Sequence, residues 1–459
     1  MSLILPLILG AAALNPADSA MWQLSAPAYE NPAVKQWAMK RSASDIGGGY
    51  LNERQNRALD PQLGSGNREW SFAADTYLKY KTSTLWGDAS YHNGKQFDVK
   101  YNETSDPDLV YPYLTADTVG GDLNYEKYIF GGGYADHSGK WAWGAAIHYQ
   151  AGLYYRAVDP RPRNVTGMLD VSVGGAYKVI ADYYFGISVN YRKYKQTNEI
   201  EFKNQMGDEK IYHLTGLGTD YRRFAGLGDD SYYNGHRWGL TANIFPSSGS
   251  GLTATANLSR FTFSKILTEL NKLPLADCHH NELTAQIGWL QPGRSNDWAA
   301  TVDARLYRRH GYENRFGDPS SNIYPQTGSD WMYADNAQQL KATVLWQYHT
   351  PKGFLAWIKP SFSYFHRCES YAKPNLHEKH DLTNGSVDAL ISIPCREWRF
   401  TASANGTVGN EVKAGGAKVK AAHAIGALFN LEASFGWTYS QFDKGLHQNR
   451  YQAAINLYF

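Results

Sequence analysis

The sequence predicts an all-β protein, a transmembrane antiparallel up-and-down β-barrel with short periplasmic turns and long extracellular loops. Three observations carry this: a hydrophobic period of two that recurs down the chain, connections that alternate between short and long, and a final strand ending on Phe459. Successive side chains of a strand point to opposite faces, so a sheet between lipid and water must alternate apolar with polar or small residues.

Over 141–150, Trp141, Trp143, Ala145, Ile147 and Tyr149 share one face, and Ala142, Gly144, Ala146, His148 and Gln150 the other. The same division sets Leu169, Val171 and Val173 against Asp170, Ser172 and Gly174, and Trp298, Ala300, Val302, Ala304 and Leu306 against Thr301, Asp303 and Arg305. Such segments run to about ten residues or more, the length a tilted strand needs to cross a bilayer. A soluble sandwich also alternates, but in strands of about five or six residues. Backbone groups in hydrocarbon must all be paired, so the sheet must close on itself.

Short connections fall near 81–83, 137–140, 180–183, 246–250, 291–297, 350–353 and 394–397, and longer polar ones near 55–66, 101–121, 159–165, 198–234, 264–279, 311–336 and 367–380. The first set is expected in the periplasm and the second outside, giving about 16–18 strands, with 18 favoured and one hairpin between Asn410 and Leu431 left open. Trp86, Trp141, Phe185, Trp298, Trp357 and Trp398 follow short turns and are expected to form a periplasmic aromatic girdle. The last strand places Tyr451, Ala453, Ile455, Leu457 and Phe459 on one face, which resembles the C-terminal recognition signal of barrel assembly substrates. The barrel assembly machinery during biogenesis, and outer-membrane lipid and lipopolysaccharide afterwards, are therefore expected partners of an integral bacterial outer-membrane protein.

Residues 1–14 join an apolar core to small residues, as in the latter part of a secretory signal, although no Lys or Arg precedes Lys35. The expected layout is a signal peptide over 1–20, a periplasmic N-terminal segment over 21–43 and the barrel over 44–459. The 33 Tyr, 14 Trp and 43 Gly against 6 Met suit a large barrel with a polar lumen and not a helical membrane protein. A net charge of +2 gives no reason to invoke nucleic acid. Three cysteines, at 278, 368 and 395, allow at most one bridge, with Cys278–Cys368 across the outer loops as one option.

Several stretches resemble an uncharacterised family of Bacteroidota outer-membrane barrels, known as a domain of unknown function: Thr104–Tyr113, Val119–Asp122, Asp159–Asn164, Thr215–Tyr221 and Leu270–Leu275. The resemblance implies an outer-membrane barrel encoded beside TonB-dependent transporters and lipoproteins, and it brings no site residues.

Two constellations could carry chemistry. Cys278, His279, His280, His310, His377 and His380 fall near the predicted outer end, together with His366 and Cys368. Thiolate and imidazole ligate zinc, copper or haem iron, so a metal or haem could be a transported ligand, with no resident cofactor; the plainer reading is that polar loops contain histidine by chance. The second set is Tyr155, Arg156, Arg161, Arg163, Tyr221, Arg222, Arg223, Asp303, Arg305 and Arg309, at the outer rim and in the lumen. Guanidinium forks receive carboxylate or phosphate and aromatic faces stack on flat ligands, against the plainer reading of lipopolysaccharide contact or lumen ion pairs. No sequence-local nucleophile motif marks an enzyme. The expected function is a barrel that handles small solutes as a channel or ligand-binding barrel, in nutrient or metal/haem uptake. The alternative is a non-catalytic accessory subunit of a TonB-dependent transporter or surface lipoprotein complex, and an outer-membrane enzyme, its residues assembled from different strands, ranks third.

Overall fold

A computed structural model describes residues 20–39, 41–204, 210–227, 230–321, 323–426, 429–442 and 445–459. The expected signal peptide lies almost wholly outside them. In chain order the strands are β1 (Ala43–Gln55), β2 (Gly66–Lys79), β3 (Ser83–Val99), β4 (Thr115–Ala116), β5 (Gly121–Ser138), β6 (Trp141–Tyr155), β7 (Arg161–Ile180), β8 (Tyr183–Glu201), β9 (Tyr212–Gly216), β10 (Thr219–Asp220) and β11 (Ser231–Pro246). They continue as β12 (Gly251–Leu267), β13 (Leu273–Gln291), β14 (Asn296–Phe316), β15 (Gln326–His349), β16 (Leu355–Tyr371), β17 (Leu376–Cys395), β18 (Trp398–Gly409), β19 (Val412–Ile425), β20 (Phe429–Phe442) and β21 (His447–Tyr458). All but β4, β9 and β10 form one 18-stranded antiparallel sheet, and β1 pairs with both β2 and β21, so the sheet is a closed barrel. The stretch left open in the sequence, Asn410 to Leu431, holds β19 and the start of β20, which pair with one another, and the count is 18.

Alternation along each strand sets the two surfaces. Trp141, Trp143, Ile147 and Tyr149 are exposed on the outside, whereas Ala142 and Gly144 are buried within. Of the expected girdle, Trp141, Phe185, Trp298 and Trp398 face out. Trp86 and Trp357 do not: Trp86 pairs with inward Tyr77 and covers Gly133, and Trp357 is 7% exposed and packs on an N-terminal helix inside the barrel.

Several strands are longer than their apolar stretches. β15 has 24 residues, an extended length of about 80 Å against an apolar belt of about 25 Å. The expected loops 264–279, 311–336 and 367–380 are accordingly strand for most of their length, with connections only between Leu267 and Leu273, Phe316 and Gln326, and Tyr371 and Leu376. Above the membrane both faces of a strand can be polar, so the hydrophobic alternation fades while the ladder continues.

The lumen is filled from both ends. At the periplasmic end the helix α1 (Ala20–Ser25) and two 3₁₀ turns, Ala26–Tyr29 and Pro32–Trp37, lie against the inner wall. Asn31 donates to Asn243 Oδ1 at 3.2 Å, and Asn243 donates back to Ala28 O at 2.9 Å. Tyr29, Val34 and Trp37 pack on Tyr184 and Phe245, and Met21 and Leu24 on Trp357, Leu345 and Leu290. Gly144 and Gly174 permit this approach: a Cβ would lie 2.5 Å from Pro32 O at Gly144 and 1.9 Å from Asn31 Oδ1 at Gly174.

Candidate functional site

At the extracellular end two connections fold inward. The first, residues 100–120, is a strap that carries the short helix α2 (Pro107–Val110) and β4. The second, a flap whose described residues are 202–204, 210–227 and 230, carries β9 and β10; β9 pairs with β4, so strap and flap share a three-stranded sheet. Their apolar residues bury against inward side chains of the wall. Val110, Tyr113 and Leu114 meet Tyr194, Tyr233, Phe261, Phe263 and Cys278.

Polar residues of the wall grip the strap. Arg156, just beyond β6, is buried and pairs with Glu103 at 2.9 Å and Asp117 at 3.4 Å. Burial pushes the Glu103 carboxyl well above the usual range, ahead of the opposing pull of Arg156. Lys265 donates to Leu114 O at 2.8 Å, and Tyr233 to Tyr113 O at 2.8 Å. Arg309 donates to Tyr111 O at 2.7 Å and Asp108 O at 3.0 Å, while the Tyr111 hydroxyl donates to Glu369 at 2.5 Å. The flap is held by Tyr221 and Arg223, which donate to the backbone carbonyls of Asn314 and Phe316. Its His213 donates Nε2–H to Leu227 O at 2.9 Å, and burial holds that imidazole down to about 3.

Between the strap and the wall formed by β14–β17 lies a cavity of about 610 Å³. Asp60 and Leu63, from the connection between β1 and β2, also line it, as does α2. On the wall, Arg367 forks onto Asp335 at 3.0 and 2.9 Å and reaches Glu369 at 3.2 Å. Tyr307 donates to Asp335 at 3.0 Å, Arg305 pairs with Glu282 at 2.5 Å, and Glu378 with His380 at 3.0 Å. Both Arg305 and Arg309 approach the Tyr307 ring, at 5.9 and 5.4 Å. The chamber thus combines guanidinium, carboxylate, imidazole and aromatic surface, with few of its charges uncompensated.

The sequence-predicted residues divide by strand parity and by location. Arg305, Arg309, His280 and His380 line the cavity. Cys278 faces inward but is buried beneath the strap, whereas the register puts His279, His310 and His377 on the outer surface. The six proposed metal ligands are therefore not brought together, and among the described residues no three His, Cys, Asp or Glu gather as a metal site. Cys278 and Cys368 lie on opposite sides of the wall, and all three cysteines are free thiols. Of the rim set, Arg156, Tyr221, Arg223 and Arg309 hold the chain's own loops. Arg161 pairs with Asp159 at 2.6 Å and Arg163 with Glu199 at 3.3 Å, Tyr155 and Arg222 are exposed, and Asp303 accepts from Gln286 at 2.7 Å within the lumen.

Sequence reasoning missed Glu103, Asp117, Lys265, Asp335, Arg367 and Glu369. A signal existed: Thr104–Tyr113 and Thr215–Tyr221 are rich in Tyr, Leu, Gly and Pro for water-exposed loops, and they are the segments that turn inward.

A closed sheet with an apolar outer belt, polar lumen and periplasmic aromatics is an integral outer-membrane β-barrel. The chain belongs to the family of unknown function DUF6850, whose model matches residues 32–414. No curated protein matches it. Among solved structures it is similar to a mutant of the ferric enterobactin receptor PfeA of Pseudomonas aeruginosa, with 8% identity, a TM-score of 0.39, and 91% of this chain and 80% of that one covered. It is also similar to the ferric preacinetobactin receptor BauA of Acinetobacter baumannii, at 8% identity and TM-score 0.42, with 92% and 80% covered. The CymD monoaromatic hydrocarbon channel gives 9% identity and TM-score 0.34, with 94% and 91% covered.

Proposed function

We propose that this barrel handles a small polar solute as a gated, ligand-binding uptake barrel, and that the solute is received in the cavity beneath the strap. The observation that carries this reading is the occupied lumen. Strap, flap and N-terminal segment fill it from both ends and leave a chamber of about 610 Å³ on the extracellular side, a size suited to a small molecule. Arg305 and Arg309 flank Tyr307 there, while Asp335, Glu369 and Glu378 supply acceptors. That mixture suits a solute bearing both donors and acceptors better than a bare metal cation. Planar-bilayer recording tests it. The wild-type barrel is expected to conduct little, and a variant lacking residues 20–38 with the strap 103–116 replaced by a Gly/Ser linker is expected to give stepwise current. Full conductance in the wild type would sink the reading.

The filled lumen also favours the second reading, an accessory subunit that presents its outer surface to a TonB-dependent transporter or surface lipoprotein. On that reading a partner co-purifies after gentle extraction, and the cavity binds no small solute.

A further inference from the structure

The outer wall carries a cationic face that the luminal reading does not use. On five neighbouring strands, β8, β11, β12, β13 and β14, the outward residues just beyond the apolar belt include Lys193, Lys195, Arg260 and Arg308, with His236, His279 and His310 among them. Register makes them contiguous. Lys193 lies opposite His236, His279 opposite His310, and Arg260 and Arg308 both lie opposite Asn281. The Cα atoms of the two arginines therefore stand two strand spacings apart, about 10 Å.

Among the described residues none of the four Lys and Arg side chains forms an ion pair with a carboxylate. Their contacts are with neutral partners: Lys193 with Asn234 and, at 2.8 Å, His236 Nε2, and Arg260 with His279 Nδ1 at 3.1 Å. Some cations elsewhere on the outer wall are compensated, as in Lys95–Asp122 at 2.9 Å and Arg163–Glu199 at 3.3 Å, whereas this face gathers four that are not. The next outward residues toward the membrane are Tyr191, Trp238, Leu258 and Leu306; Trp238 and Leu258 are about 60% exposed. Uncompensated positive charge thus meets a bare apolar surface along one line, at headgroup depth.

We propose that this face binds a phosphorylated glycolipid of the outer leaflet, with its phosphates on Lys193, Arg260 and Arg308 and its acyl chains on Tyr191, Trp238, Leu258 and Leu306. An acidic protein would match the charge but not the hydrocarbon-facing half, which only an amphiphile can occupy in continuity with the bilayer.

Native mass spectrometry of the full chain in detergent, titrated with purified bisphosphorylated lipid A, tests the site. The wild type is expected to retain the glycolipid. R260Q/R308Q is expected to weaken retention at least tenfold, because two charge-assisted contacts are lost. R260K/R308K, which keeps the charges, and K95Q/K413Q, which removes two cations elsewhere on the outer wall, are expected to bind like the wild type. Dephosphorylated lipid A is expected to bind as weakly to the wild type as to R260Q/R308Q. The proposal is overturned if phosphate removal has no effect, or if both Gln pairs lose binding equally. It is also overturned if gentle extraction shows that R260Q/R308Q sheds an acidic protein and not the glycolipid. Heat-modifiable migration on gels verifies folding of every variant independently of lipid. Because the readout does not involve the lumen, its failure leaves the solute reading untouched.

Discussion

Replacing Arg156 by Met should release the strap while leaving the barrel closed. The Arg156 side chain is 3% exposed, and those of its partners Glu103 and Asp117 are 0% and 1% exposed. Removing one member of such a buried set strands the others' charge, at about 3–5 kcal/mol. Glu103 can shed its charge by taking a proton, toward which burial already pushes it, so the loss should fall near the lower end of that range. About 3 kcal/mol corresponds to roughly a hundredfold rise in strap opening. Hydrogen exchange reports it directly through the amides of Glu103, Tyr111 and Leu214, which donate to Thr115 O, Pro107 O and Leu114 O. Their exchange should accelerate about a hundredfold, and the β7–β8 ladder should not change. The triple variant R156M/E103Q/D117N removes the stranded charge and should recover most of the protection. If R156M left those amides protected, or if strap and ladder amides accelerated together, the claim that this ion cluster specifically clamps the strap would fail.

Two further outcomes test the flap and the orientation. His213 has a folded-state value of about 3 against an ordinary 6.5, and among the described residues its Nδ1 has no hydrogen-bond partner; Lys265 opposes its protonation further. The depressed value means that its contribution is complete above pH 6.5 and is lost as pH falls toward 3, at about 1.4 kcal/mol per unit. Proteolysis within the flap should therefore quicken about fifteenfold between pH 6.5 and 5; a His213→Leu variant with the same pH slope would refute the assignment. For orientation, a membrane-impermeant maleimide on intact cells should label Cys368, on the outer face above the apolar belt. It should spare exposed Cys395 at a short turn until the outer membrane is opened, and buried Cys278 until unfolding. Peptide mapping that finds Cys395 labelled first would invert the barrel.

What was legible in the sequence follows from where solvent changes. Within the bilayer, each step along a strand swaps oil for water, so Trp298, Ala300, Val302, Ala304 and Leu306 announce an outer face without any knowledge of their neighbours. Beyond it, water lies on both sides, and the continuation of β14 to Phe316 and of β15 back to Gln326 leaves no periodic trace. Trp86 and Trp357 show a related limit. A one-residue change in register turns a strand residue to the other surface, and an aromatic ring tolerates either lipid or a packed lumen.

The composition and order of the residues alone determined a closed, lipid-embedded antiparallel barrel with its short turns on one side, because unpaired backbone is intolerable in hydrocarbon and the alternation is local. Only the tertiary structure decided what fills it. Whether Arg309 meets a solute or the carbonyls of Tyr111 and Asp108, and whether His279 and His280 share a site or stand on opposite surfaces, depends on register and on contacts between segments hundreds of residues apart. Those contacts are non-local, and no period in the chain encodes them.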